Sequence, residues 1–116
     1  MNKDKFKIAI DYDAVKSLES IAFFAFMTNA LVKDVKIYIL GIDEENTEKV
    51  DLFNALRQCD IKYSELVFVD DREKFILDND INVLFTTDDS KLIDVPDSVS
   101  VFISRTLHNF DFVENE

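Results

Sequence analysis

Acidic side chains follow several apolar segments of this chain. Asp11 and Asp13 come directly after the apolar run that ends at Ile10, and Asp88 and Asp89 follow a later run. In an extended strand, residues i and i+2 point to the same side, so Asp11 and Asp13 could share one site. Carboxylates held close together raise one another's pKa or bind a divalent cation, and such oxygen-rich sites suit Mg²⁺. In an acidic protein, the alternative is that Asp11 and Asp13 are only the polar end of a strand.

Apolar runs and helical patterns alternate along the sequence. The pattern predicts strands over 5–11, 35–40, 65–69, 81–87 and 98–104, and helices over 18–32, from Asp43 through Leu56, over 72–77 and, briefly, over 90–93. This alternation favours a parallel sheet covered on both faces. We therefore expect an α/β fold, a three-layer sandwich with a five-stranded parallel sheet, as one domain over residues 1–116. Sites in such sheets lie beyond the carboxyl ends of the strands.

The composition of the chain limits the classes of protein to which it can belong. The chain has 116 residues, a net charge of −11, 47% hydrophobic residues and one cysteine. This hydrophobic content predicts a packed domain rather than a disordered chain, and a single cysteine excludes an internal disulfide. Without a basic cluster, we expect no direct binding to a nucleic-acid backbone. With no leader or membrane-spanning run, we expect a cytoplasmic protein that does not enter a membrane. The acidity mainly favours solubility, and it is compatible with docking on a basic partner.

Two segments resemble motifs of the haloacid dehalogenase-like (HAD) phosphohydrolase superfamily. Ile10-Asp11-Tyr12-Asp13-Ala14-Val15 is similar to its first motif, and Val83 to Ser90, with Asp88 and Asp89, is similar to its fourth. The resemblance implies that Asp11 is the nucleophile and a Mg²⁺ ligand, and that Asp13 is the general acid and base. It implies that Asp88 and Asp89 complete a metal site with Asp11 and Asp13, and that Lys74 neutralises phosphate charge.

The sequence departs from this family in its second motif. Leu40 stands where the family has a Ser or Thr that donates to the phosphoryl group, and losing such a donor costs about a hundredfold in rate. The chain also has no cap domain, a feature of family members that act on large substrates or borrow a cap. The resemblance thus implies a Mg²⁺-dependent phosphohydrolase acting on a phosphorylated small molecule or macromolecule. The alternative is a weak or inactive HAD-like module that binds or regulates a partner protein.

Two further alternatives stay open at this point. A flavodoxin-like or receiver-like domain also gathers acidic strand ends around Mg²⁺, although the fifth strand here lacks the lysine of a receiver. The first helix carries Phe23, Phe26 and Met27 away from its expected core face, which consists of Leu18, Ile21, Ala25, Thr28, Leu31 and Val32. These three residues are either a second buried face or an interface for a homodimer or protein partner.

Overall fold

The computed structural model describes residues 5–15, 18–42, 49–87 and 95–103. Within them, strands and helices alternate, and the predicted α/β class is confirmed. The strands are β1 (Lys7–Asp11), β2 (Lys36–Ile42), β3 (Glu65–Val69), β4 (Val83–Thr86) and β5 (Ser100–Ile103). The helices are α1 (Tyr12–Val15), α2 (Leu18–Leu31), α3 (Lys49–Gln58) and α4 (Arg72–Asp78).

The five strands form one sheet in the order β3-β2-β1-β4-β5, and every pairing in it is parallel. The chain first builds outward from β1 to β3 and then crosses to the other side of β1 for β4. The sheet therefore has a topological switch point between β1 and β4, where ligands bind in open α/β sheets. A flavodoxin-like sheet has the order 2-1-3-4-5, so the flavodoxin-like or receiver-like alternative is wrong.

The strands bury side chains on both faces of the sheet, since their residues alternate between two apolar clusters. In β2, Ile37 and Ile39 belong to the first cluster, and Tyr38 and Leu40 belong to the second. The first cluster also contains Phe24 of α2 and Leu56 of α3, whereas the second contains Ile76 of α4. Near-continuous apolar strands are what a sheet buried on both faces requires.

Helices α3 and α4 end in the same way, with an aspartate in the left-handed region. Asp60 has φ 60° and Asp80 has φ 54°. After α4, the amide of Ile81 donates to the carbonyl of Ile76 at 3.2 Å, and the amide of Asp80 donates to that of Leu77 at 3.5 Å. This is the Schellman arrangement, in which glycine usually occupies the left-handed position. With one glycine in the sequence, aspartate takes that position here at some cost in backbone energy.

Several element boundaries differ from the prediction. β2 continues through Gly41 to Ile42 instead of ending at Leu40. A Cβ on Gly41 would lie 3.0 Å from Leu52 and 3.1 Å from Phe68, so this glycine allows close packing rather than a turn. β4 begins at Val83 and not at residue 81. The predicted helix start at Asp43 and the predicted helical piece at 90–93 lie outside the described residues.

Helix α2 is apolar on more than its core face. Phe24 is buried in the first cluster and Met27 packs against that cluster, whereas Phe23 is 52% exposed and Phe26 is 76% exposed. The sequence-based core face omitted Phe24. Met27 therefore belongs to the core, and the two outward-facing phenylalanines do not. Among the described residues, no helix has the length and apolarity to cross a membrane.

Candidate functional site

Two side chains meet at the switch point from neighbouring strands. Asp11 is the last residue of β1 and Thr86 is the last residue of β4. Ile10 pairs with Phe85, so Asp11 and Thr86 each follow one residue later on adjacent parallel strands. Both side chains are buried. The apolar residues before them form the central strands and therefore hold both side chains at the carboxyl edge of the sheet.

Arg72 completes this cluster from α4, the helix that follows β3. It is the first residue of α4, directly after Asp71, whose carboxylate caps the helix by accepting from the amide of Lys74 at 3.1 Å. Nη1 of Arg72 donates to Oδ2 of Asp11 and to Oγ1 of Thr86, the latter at 2.8 Å. We call Asp11, Arg72 and Thr86 the switch-point cluster.

The ion pair in the switch-point cluster is largely removed from solvent. The side chains of Arg72 and Asp11 are 14% and 8% exposed. A charge-assisted bond of this kind is strong, and at such low exposure it is screened little by salt. The pair therefore fixes the first turn of α4 over the end of β1.

Opposing effects act on the pKa of Asp11. Burial raises the pKa of this carboxyl above its ordinary 3.8 and is the largest effect. The Thr86 hydrogen bond and the Arg72 guanidinium lower the pKa, and the negative charge of Asp13 adds a small rise. The net direction is upward, because desolvation of the charged form outweighs its partners. A raised pKa on a buried carboxyl in a strand-end crevice is typical of functional sites.

Asp11 also presents one oxygen that the described residues do not satisfy. Its Oδ1 is buried and has no hydrogen-bond partner among them, and a buried acceptor left in that state costs about 1–3 kcal/mol. Mg²⁺ prefers carboxylate oxygens, so Oδ1 fits the role of a metal ligand. In the described part of the chain, no three His, Cys, Asp or Glu residues are grouped so as to hold a metal.

Of the other three predicted metal ligands, Asp13, Asp88 and Asp89, the structure describes Asp13 alone. Asp13 lies in the first turn of α1 and is exposed, so it is not on an extended strand, and the i, i+2 argument for its direction was wrong. Its charge nevertheless acts on Asp11. Asp88 and Asp89 lie outside the described residues, so their metal-binding role stays a prediction.

Lys74 does not contact Asp11 in the described structure. Its Nζ lies 2.8 Å from Oδ2 of Asp78, one helical turn further along α4, and this pair is exposed. The same hydrogen bond raises the pKa of Lys74. The catalytic role predicted for Lys74 stays a prediction, and the cation bonded to Asp11 is Arg72.

Leu40 stands beside Asp11 on the neighbouring strand. It pairs with Asp11 in the β1–β2 register and is buried in the second cluster. No hydroxyl therefore stands beside Asp11 from β2. The hydroxyl next to Asp11 belongs instead to Thr86 on β4, which the sequence analysis did not select.

Arg72 and Thr86 are thus the residues that the sequence analysis missed. Their positions could have indicated a role in the site, because Thr86 ends a strand and Arg72 begins the helix that follows another strand. Residues at those places lie at the carboxyl edge of a parallel sheet. Their polar types alone did not distinguish them from solvent-exposed residues.

Comparisons with known proteins do not identify a family for this chain. No protein-family model, no curated protein and no solved structure matches the chain.

Proposed function

We propose that this chain is a capless, three-layer HAD-like domain that hydrolyses phosphomonoesters with Mg²⁺. The observation that carries the proposal is the buried Asp11 carboxyl, bonded to Arg72 at the switch point of the sheet. The place where open α/β sheets bind ligands then holds three groups: a nucleophile, a cation for the phosphoryl oxygens and a hydroxyl that positions the nucleophile. In this proposal Arg72 takes the role that the family resemblance gave to Lys74.

The reaction has two displacements at phosphorus. One oxygen of Asp11 attacks the phosphorus of the ester, the bond to the ester oxygen breaks, and Asp13 gives its proton to the departing alcohol. Asp13 then takes a proton from water as that water attacks the phosphorus. The acyl-phosphate bond breaks, inorganic phosphate leaves and the Asp11 carboxylate is restored. The exposed position of Asp13 suits a group that must exchange protons with substrate and water.

In the proposed reaction, Arg72 neutralises negative charge on the phosphoryl oxygens, and Thr86 orients the Asp11 carboxyl. The guanidinium is a planar fork with several donors, so it can hold the Asp11 carboxylate and still offer an N–H to a phosphoryl oxygen. Thr86 accepts from Arg72 at 2.8 Å, and its hydrogen bond to the Asp11 carboxyl lowers the pKa of that group. Both contacts favour the ionised form, which is the form that attacks phosphorus. Mg²⁺, held by Asp11, Asp13, Asp88 and Asp89, would neutralise charge on the phosphoryl oxygens.

The substrate class follows from what the chain contains. Among the described residues, only α1 and α2 lie between β1 and β2, and the 24 sequence positions from Tyr12 to Val35 are too few for a cap domain. A site without a cap is open, and it admits the phosphate end of a large molecule as readily as a small phosphomonoester. The net charge of −11 disfavours polyanionic substrates and favours those with few negative charges beyond the phosphate.

The test is hydrolysis of a broad panel of phosphomonoesters with Mg²⁺ by the purified full chain. We expect turnover that Asp11→Asn abolishes and that Arg72→Ala lowers by about a hundredfold or more, a loss typical of removing a charge-stabilising donor. Lys74→Ala is the matched control, since it removes a cation from the same helix turn without touching Asp11. Equal rates for the wild type and Asp11→Asn would overturn the proposal, and a larger loss for Lys74→Ala than for Arg72→Ala would reassign the cation.

Two observations on the surroundings of Asp11 favour a second function. The Asp11 carboxyl is buried and already ion-paired, and Leu40 offers no hydroxyl beside it, so the cluster can also bind phosphate without turnover. This would make the chain a HAD-like module that recognises a phosphorylated partner. Calorimetry with Mg²⁺ and inorganic phosphate distinguishes the two functions, because binding without hydrolysis of any panel member supports the module.

A further inference from the structure

Three phenylalanines form an exposed apolar surface on the side of the sheet that holds α2. Phe23 and Phe26 lie one helical turn apart on α2, and Phe102 lies on β5. Their exposed fractions are 52%, 76% and 52%. We call these three residues the aromatic face.

The aromatic face is continuous because Phe85 of β4 joins its two ends. The ring of Phe85 stacks on Phe102 at a centroid distance of 5.3 Å, with 23° between the planes. On its other side it meets Phe23 at 6.2 Å and the buried Phe24 at 5.3 Å. Ring contacts at these distances are favourable, so Phe23 and Phe102 rest on a fixed base, and Phe26 lies one helical turn from Phe23. A rigid aromatic surface loses little conformational entropy when it is covered.

The exposed area of the aromatic face is close to what a stable interface needs. With about 200 Å² for one phenylalanine side chain, the three exposed fractions leave roughly 360 Å² of aromatic surface. A standard interface buries about 800 Å² per partner, of which a little over half, about 450 Å², is non-polar. The three rings therefore supply most of the apolar surface that one partner contributes.

The charges of the chain indicate what covers this face. No charged residue occurs in the sequence from Ser20 to Val32 or from Ser98 to Ser104, the two segments that carry the aromatic face. A basic partner would find no carboxylate in either segment to pair with its Lys or Arg side chains. A second uncharged aromatic face is the complementary surface, and each further copy of the chain carries one. Contact across a two-fold axis would then bring no like charges of these segments together.

We propose that the aromatic face is a homodimer interface, in which the face of one copy packs against the same face of a second copy. Such an interface is isologous, so one substitution changes both halves of it. This interface is distinct from the switch-point cluster, and the proposal does not depend on the activity of that cluster.

Sedimentation equilibrium of the full chain over roughly 1–100 µM, a range that covers micromolar affinity, tests the proposal. We expect a reversible monomer–dimer equilibrium. Phe26→Ser and Phe102→Ser should each weaken the dimer by at least about thirtyfold, the change expected of one aromatic hot spot, because each substitution removes two rings from the interface. Phe53→Ser is the matched control, because Phe53 is an exposed phenylalanine of α3 at 46% outside the aromatic face, and it should leave the dimer unchanged.

Salt gives a second readout. Two copies of charge −11 repel one another at long range, so added salt should strengthen the dimer. A wild type that stays monomeric throughout the concentration range would overturn the proposal, and so would equal effects of Phe26→Ser and Phe53→Ser. Association that weakens with salt would indicate an ionic contact elsewhere and would also overturn it. If Phe102→Ser does not fold, the more exposed Phe26 decides the result alone.

Discussion

Removing the guanidinium of Arg72 should destabilise the fold in a way that depends on pH. Arg72→Met keeps much of the aliphatic stem but leaves the Asp11 carboxylate in its buried position without a cation. Breaking a buried ion pair by removing one partner costs about 3–5 kcal/mol. Since the two side chains here are 14% and 8% exposed, we expect the lower end of that range, about 3 kcal/mol near pH 8.

The pH dependence follows from the direction of the Asp11 pKa. Burial raises this pKa in the folded chain above the unfolded value of about 3.9, so protonation of Asp11 favours the folded state. The stability gained from that proton is present at low pH and is lost as the pH rises through the folded pKa. Arg72→Met raises the folded pKa further. The deficit of the variant should therefore grow with pH, by up to about 1.4 kcal/mol per pH unit, and should shrink as the pH falls and Asp11 takes up a proton.

Urea unfolding of the wild type and the variant at several pH values measures this deficit, with equal m-values as the check on two-state behaviour. Lys74→Met is the matched control on α4, and because its exposed pair with Asp78 is of the kind that contributes little, its stability should be close to wild type. The double variant Asp11→Asn/Arg72→Met should cost less than the sum of the single changes, because neither charge is then left alone. A deficit below about 0.5 kcal/mol near pH 8, or one that does not change with pH, would refute the assignment of a buried ion pair.

Three further predictions follow from the fold and the site. Asp80→Gly should raise the free energy of unfolding by about 1 kcal/mol, because glycine adopts φ 54° without the penalty of a side chain, and Asp80→Ala in the same urea titration should bring no such gain. Gly41→Ala should lower stability by about 1–3 kcal/mol, because its Cβ would lie 3.0 Å from Leu52; an unchanged thermal midpoint would contradict this packing. In the pH profile of hydrolysis, the rate should fall on acidification at a pH above the ordinary Asp range, because the raised pKa of Asp11 leaves it protonated there, and an acid limb near 3.8 would contradict the effect of burial.

Much of the fold could be predicted from the pattern of apolar residues. The β3 segment over 65–69 was predicted with the bounds that the structure has, because a short apolar run bounded by polar residues is typical of a buried strand. Asp71 caps α4, as is typical of an aspartate directly before a helix. The strand order could not be predicted, since each strand is an apolar run with no feature that identifies its neighbours.

The candidate site could be predicted only in part, because its members depend on that order. Asp11 was identified from the strand that it ends, and it is buried at the switch point. Arg72 and Thr86 come together with it only because β4 lies beside β1 and α4 crosses toward it. Phe24 was missed for a related reason, since neighbouring phenylalanines on α2 are equally apolar and only packing decides which ring is buried.

The central claim is that Asp11 is a nucleophile that becomes phosphorylated, and one measurement tests it most directly. The full chain is mixed with Mg²⁺ and a phosphomonoester that it hydrolyses, quenched in acid to preserve an acyl phosphate, digested and analysed by mass spectrometry. We predict a phosphoryl group on the peptide that contains Asp11, none on the same peptide from Asp11→Asn, and more of it in Asp13→Asn, in which the step with water is slowed. Turnover with no phosphoryl group on this peptide, or with the group on another residue, would contradict the claim.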